Sequence, residues 1–148
     1  MSTNTDVSHG TTLEVRNTCL CLHAQRSARA LARRFDQALR PVSLKHGQFS
    51  LLIALNRPEP PPIGAVAQVL AMDRTTLTAN LKPLERRGLV EIQPDPADRR
   101  TRRLSLTAKG STLLAEAVPI WRETHRKLEA ALAPGQADQL RQSLNALV

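Results

Sequence analysis

Tyrosine is missing from this 148-residue chain, which carries two phenylalanines and one tryptophan. Single-stranded nucleic acid is held largely by bases stacked on aromatic rings, so a chain this poor in rings is badly equipped for that ligand. Cysteine is nearly as scarce: Cys19 and Cys21 occur and no others. Two residues that close along a regular element point apart, which makes an intramolecular disulfide awkward and reduced thiols the expectation. Also lacking is any apolar run of the roughly 18 to 20 residues that cross a bilayer. The opening "MSTNTDVSHG" has neither the basic start nor the apolar stretch of a secretory signal. A soluble, cytoplasmic protein without a membrane partner is expected.

Positive charge, by contrast, is plentiful. Lys and Arg number 21 against 13 Asp and Glu, a formal net charge of +8, which favours an anionic partner. With stacking platforms nearly absent, double-stranded DNA is the better candidate. The length suits one ordinary domain, and no internal repeat is visible.

Periodicity organises the rest. Residues 1–11 are polar and expected to be a flexible N-terminus. Between Leu13 and Leu39, Cys21, Ala24, Ala28, Leu31, Phe35 and Leu39 recur at three- and four-residue spacing, predicting one long helix that Pro41 stops. "QFSLLIAL" (48–55) reads as a second helix, and the prolines of "RPEPPP" (57–62) as a stiff extended connection. The stretch "IGAVAQVLAMDRTTLTANLKPLERRGLVEI" (63–92) predicts helix, tight turn, helix. Asp73 is placed to cap the second of these, Leu77, Leu81 and Leu84 line one face, Pro83 should bend it, and Gly88 ends it in a left-handed residue.

Beyond Gly88 the period becomes two. Val90 and Ile92, then Leu104 and Leu106, alternate with polar residues, so two half-buried strands flank a loop that carries Arg99, Arg100, Arg102 and Arg103. Thr107 can cap a further helix with a seam of Leu113, Ala117, Ile120, Trp121, Thr124, Leu128 and Leu132, kinked at Pro119. A last helix carries Ala137, Leu140, Leu144 and Leu147.

The fold class is therefore mainly α (α+β): a winged helix-turn-helix over residues 41–106, with helices 12–40 and 107–148 forming a dimerisation region. Both ends show more apolar surface than one small core needs, which suggests a homodimer. In a winged helix the second helix enters the roughly 12 Å major groove while the hairpin follows the backbone. Arg74, Thr75, Thr76, Thr78 and Asn80 are then nearest to bases and phosphates. Asn suits adenine and Arg suits guanine, whereas threonine hydroxyls more often meet phosphate. Lys82 and Arg86 fall further along and hold the backbone; the hairpin arginines meet phosphates and release counterions. One of Arg99 and Arg100 is the candidate to pair with Asp98 or Asp95 and shape the hairpin.

The segments "DRTTLTANLKPLERRGLVEI" and "DPADRRTRRLSLTAKG", in this order and spacing, resemble the MarR family of bacterial transcription regulators, and the resemblance extends from about Asn17 onward. It implies a homodimer with interlocked terminal helices, two winged helices on a pseudo-palindromic operator, and repression released by a small molecule, an oxidant or a metal. Many members carry arginine where this chain has Ala79, so a base preference does not transfer.

Cys21 stands ahead of Gln48 at a spacing that resembles the reactive cysteine of the family's organic-hydroperoxide-sensing branch. It is the candidate redox sensor, through oxidation of its thiolate. That branch surrounds its thiol with tyrosines; the matching positions here hold Gln25, Phe35 and His46, with His46 or a nearby arginine a candidate replacement activator. The alternative is that Cys21 is a small buried apolar residue. Cys19 and His23, four apart on a helix, supply two metal ligands at most, an incomplete site, so no metal and no cofactor are expected. The resemblance implies, as the leading signal, a small apolar or aromatic effector held between the dimerisation helices and the winged helix. No enzyme activity is expected. The competing readings are a thiol-based peroxide-reacting protein built on Cys21 and a non-specific architectural DNA binder.

Overall fold

The computed structural model describes residues 6–148. The first five residues of the expected flexible N-terminus, and of the stretch read for a signal, lie outside it. By internal contacts the chain forms two units, Met1–Arg34 and Phe35–Val148.

In the first unit a helix begins earlier than expected and does not run unbroken. Helix α1 spans His9–Thr18, because the Ser8 hydroxyl accepts the free amide of Thr11 at 3.1 Å; residues 9–11 are thus helical rather than frayed. At Cys19 the backbone turns extended (φ −68°, ψ 109°). Helix α2, Leu20–Ala38, starts afresh, with Cys19 as its cap: the sulfur accepts the Leu22 amide at 3.4 Å. The single helix predicted from Leu13 to Leu39 is two, since a residue whose side chain can satisfy a free N–H makes a restart inexpensive.

The second unit holds the core. A short 3-10 turn, Arg40–Val42, forms where Pro41 stops α2, and α3 follows at His46–Leu55. Asp36 fastens the two by accepting the His46 amide at 2.7 Å and lying 2.9 Å from His46 Nδ1. These hydrogen bonds, the backbone one foremost, hold the Asp36 carboxyl below its ordinary value. Helices α4, Ile63–Val69, and α5, Arg74–Arg86, form the expected pair. The turn between them is tight because Ala71 adopts a left-handed φ of 50°.

Gly88, at φ 70°, ends α5 as its lack of a Cβ permits. Strands β1, Val90–Pro94, and β2, Arg102–Leu106, pair antiparallel with Val90 opposite Leu106 and Pro94 opposite Arg102. The proline-rich connection lies beside β2: the Leu104 amide donates to the Pro61 carbonyl at 2.9 Å. Thr107 caps α6, Ala108–Ala130, by accepting the Gly110 amide. α6 remains helical through Pro119, as α5 does through Pro83. Helix α7 spans Gln136–Asn145.

Leu39, Leu52, Leu77, Leu81, Leu84 and Leu104 are fully buried in one cluster. Each contributes about 1.5 to 3 kcal/mol relative to exposure, and together they fix the unit that presents α5. Gly110 marks the closest approach, since a Cβ there would lie 2.1 Å from the Leu89 carbonyl oxygen. Leu140, Leu144 and Leu147 near the carboxyl end, and Val15 and Leu20 in the first unit, remain exposed.

Candidate nucleic-acid interface

Helix α5 divides cleanly into two faces. Leu77, Leu81 and Leu84 are buried, while Arg74, Thr75, Thr76, Thr78, Asn80, Lys82 and Arg86 are all exposed. The split follows from apolar residues three and four apart on a 3.6-residue period.

Local hydrogen bonds sort the exposed residues by how free they are. Asp73 caps α5, its Oδ1 accepting the Thr76 amide at 2.7 Å and its Oδ2 the Thr76 hydroxyl at 2.9 Å. These bonds, the backbone one first, keep the Asp73 carboxyl below its ordinary value. The Thr76 hydroxyl is thereby committed to the cap, and the Thr78 hydroxyl donates to the Arg74 carbonyl at 2.8 Å. Asn80 places its amide nitrogen 3.6 Å from the Met72 sulfur, a weak contact that leaves its carbonyl oxygen open.

At the hairpin tip the backbone is folded by its aspartates. Asp95 Oδ1 accepts the Ala97 amide at 2.9 Å, and Asp98 Oδ1 accepts the Arg100 amide at 3.0 Å. The expected pairing of Arg99 or Arg100 with an aspartate falls instead to Arg103. Its Nε donates to Asp95 Oδ2 at 2.8 Å and its Nη1 to the Pro60 carbonyl at 2.7 Å. Arg103 lies opposite Gln93 on β2, at the position where Pro62 of the proline-rich segment bridges to that strand from its other edge. The Ala97 amide, then Arg103, keep the nearly buried Asp95 carboxyl below its ordinary value. Arg102 reaches the Arg99 carbonyl at 3.3 Å, and the side chains of Arg99 and Arg100 are exposed.

These elements enclose a hollow of about 630 Å³ between the start of α4, the start of α5 and the wing, lined by Gly64, Arg74, Asp95, Arg100, Arg102 and Arg103 among others. The arginines are visible in the sequence and the hollow is not, because Gly64 and Arg74 meet only once the turn at Ala71 brings α4 against α5.

Two other features were not foreseen. The carboxyl end of α5 is clamped: Arg87 Nη1 donates to the Ser43 carbonyl at 2.7 Å and Lys109 Nζ to the Arg87 carbonyl at 2.8 Å. A second hollow, about 420 Å³, is lined by Phe49, Ile53, Val69, Val118, Trp121 and Arg122 among others. The Trp121 ring stacks on Phe49 (centroids 6.2 Å apart) and on His125 (4.9 Å).

Both cysteines are free, and within the single chain Cys19 is half-buried and Cys21 exposed. Cys19 and His23 do meet, but through the Cys19 carbonyl, 2.8 Å from His23 Nδ1. His46 Nδ1 is engaged by Asp36. Among the described residues no group of three His, Cys, Asp or Glu is placed to hold a metal ion, and no helix is long and apolar enough to cross a membrane.

Residues 44–110 match the family model of a winged helix DNA-binding domain. The chain is 32% identical over 131 residues to the transcriptional repressor MprA of Escherichia coli K12, covering 87% of this chain and 73% of that one. Among solved structures it is similar to the M. tuberculosis transcriptional regulator MosR in complex with DNA, with TM-score 0.80, 35% identity, and coverage of 87% and 92% of the two chains. It is also similar to the repressor CouR of Rhodococcus jostii RHA1 bound to a 23-mer DNA duplex, with TM-score 0.79, 28% identity, and coverage of 96% and 98%.

Proposed function

The chain belongs to the MarR family of winged-helix transcriptional regulators, and we propose that it represses transcription in the cytoplasm as a homodimer on a pseudo-palindromic operator. Residues 41–106 bind the duplex, and the terminal segments 12–40 and 107–148 join the two copies through the exposed leucines of both ends. Its work is binding rather than catalysis.

The observation that carries this reading is the two-faced α5, leucines inward and a row of donors outward, beside a wing whose arginines are largely unpaired. Asn80, free at one end of its amide, is the base reader, and Thr75 and Thr78 touch backbone. Thr76 holds the cap and presents only its methyl to the groove. Lys82 and Arg86 grip phosphates along the helix, and Arg99, Arg100 and Arg102 do so from the wing, while Arg103 is spent on the wing's own shape. The 420 Å³ hollow between α3, α4 and α6, apolar with one guanidinium, suits a small aromatic effector bearing an acid group.

The test is to recover genomic fragments retained by the purified protein at moderate salt and to compare their affinity with mixed-sequence duplex of equal length. A preference of roughly a thousandfold or more is expected of an operator-specific regulator. Equal affinity for both would make the protein an architectural DNA binder.

A further inference from the structure

Gly64 lies in the first turn of α4, and a Cβ built there would sit 2.7 Å from Nη2 of Arg74 and 3.4 Å from its Cζ. The Arg74 guanidinium therefore rests in the space that a side chain at position 64 would fill. It lines the hollow shared with Arg100, Arg102 and Arg103. Asp95 lines the same hollow, but Arg103 Nε and the Ala97 amide occupy its two oxygens.

We propose that this hollow is a seat for a single DNA backbone phosphate, closed on one side by Arg74 and on the other by Arg100 and Arg102, and that Gly64 is the positioning residue that keeps Arg74 in it. The inference rests on the DNA-binding reading above and deepens it. It moves Arg74 from base reading to backbone grip, and it assigns a role to a residue that touches no base. An oxyanion between guanidinium groups is favoured twice, by charge and by the paired N–H donors each fork presents. The pairing of Asp95 with Arg103 keeps that carboxylate from competing for the free arginines. A phosphate held jointly by the start of α5 and by the wing would also fix their relative register on the duplex, since backbone contacts orient a protein without reading sequence.

The physical consequence of Gly64→Ala is unusual. Position 64 is helical with no positive φ, and alanine is a better helix former than glycine. The atom it meets is the far end of a flexible side chain, so the fold gives way by moving the Arg74 guanidinium alone. The variant should therefore be at least as heat-stable as the wild type and bind DNA less well.

The experiment measures binding of the full-length protein to mixed-sequence duplex about three helical turns long over a series of salt concentrations, for the wild type, G64A, R74A, the double variant G64A/R74A, and R100A. We expect G64A and R74A each to lower affinity by roughly threefold to tenfold at moderate salt, and to make the log-log salt slope shallower by about one per protomer. In the R74A background, G64A should add nothing, because the group it displaces is already gone. An unaltered melting temperature in G64A separates this from loss of fold. Equal losses from G64A with and without Arg74, or no change in slope from G64A, would overturn the assignment of Gly64 while the R100A response still reports on the wing. No change from any of the variants would overturn the interface itself.

Discussion

The guanidinium of Arg103 bridges two parts of the chain, donating to the Asp95 carboxylate at 2.8 Å and to the Pro60 carbonyl at 2.7 Å. One side chain thus ties the wing tip to the stiff segment leading into the helix-turn-helix. The wing is held at a set angle by a residue that composition alone would have assigned to DNA.

Replacing Arg103 with alanine should therefore cost stability as well as DNA affinity, with about 1 kcal/mol from the lost hydrogen bond to Pro60. R100A should lower affinity only. The Asp95 partner gives this a pH signature. Its carboxyl titrates lower in the folded chain than in the unfolded one, so its stabilisation is complete above the unfolded value of about 3.9 and disappears as pH falls through the folded value. Between about pH 6 and pH 3 the melting temperature should drop less in D95N than in the wild type. Parallel curves would show that the Asp95 carboxylate, held by the Ala97 amide first and by Arg103 second, does not bear on stability.

Asn80 and Thr76 share one helix face but differ in what holds them. Asn80→Ala should remove about 1 to 3 kcal/mol of discrimination at one base pair per half-site, visible as a relaxed position in sequences selected from a random pool. Thr76→Val, which keeps the methyl and loses the hydroxyl bound to Asp73, should lower stability and leave the selected motif intact. A changed motif in the threonine variant would reassign base reading.

At Gly110 there is no flexible neighbour to yield. A Cβ there would meet the Leu89 carbonyl oxygen at 2.1 Å and carbonyl carbon at 3.0 Å, both of them backbone atoms, so Gly110→Ala should destabilise by about 2 kcal/mol or more. Denaturant unfolding measures this. The contrast with G64A, also glycine to alanine within a helix, isolates the role of what the new methyl meets.

The effector reading can be examined through Trp121, the sole tryptophan, which lines the apolar hollow and stacks on Phe49 and His125. Benzoate, as an aromatic acid of suitable size, should change its emission in a saturable way and weaken DNA binding, both effects being reduced in R122A. If instead an organic hydroperoxide releases DNA from the wild type and not from C21S, the exposed thiol is the sensor and the hollow is not.

Much of the winged helix was legible in the sequence. The cap at Asp73, the leucine face of α5, the left-handed Gly88, the two strands and the cap at Thr107 each follow from a local rule, and each holds in the structure. The break at Cys19 was not, since a helix pattern with good spacing on both sides hides a restart that depends on one sulfur accepting one amide. The pairing of Arg103 was missed for a different reason. Charge runs say how many cations face an edge, while the alternation of the strand and the passage of a distant segment decide which of them is consumed. Gly64 carried no signal, because its importance lies in the absence of a side chain at a place that only folding defines.

The clamp of Arg87 on Ser43 and of Lys109 on Arg87 ties the rear of α5 to the base of α6. At 23 residues and 1.5 Å per residue, α6 is a lever about 34 Å long. Tipping it by some six degrees about one end shifts the other by roughly 3.5 Å, close to the rise of one base pair. A movement no larger than that, applied far from the operator, is enough to put a bound helix out of step with the bases beneath it.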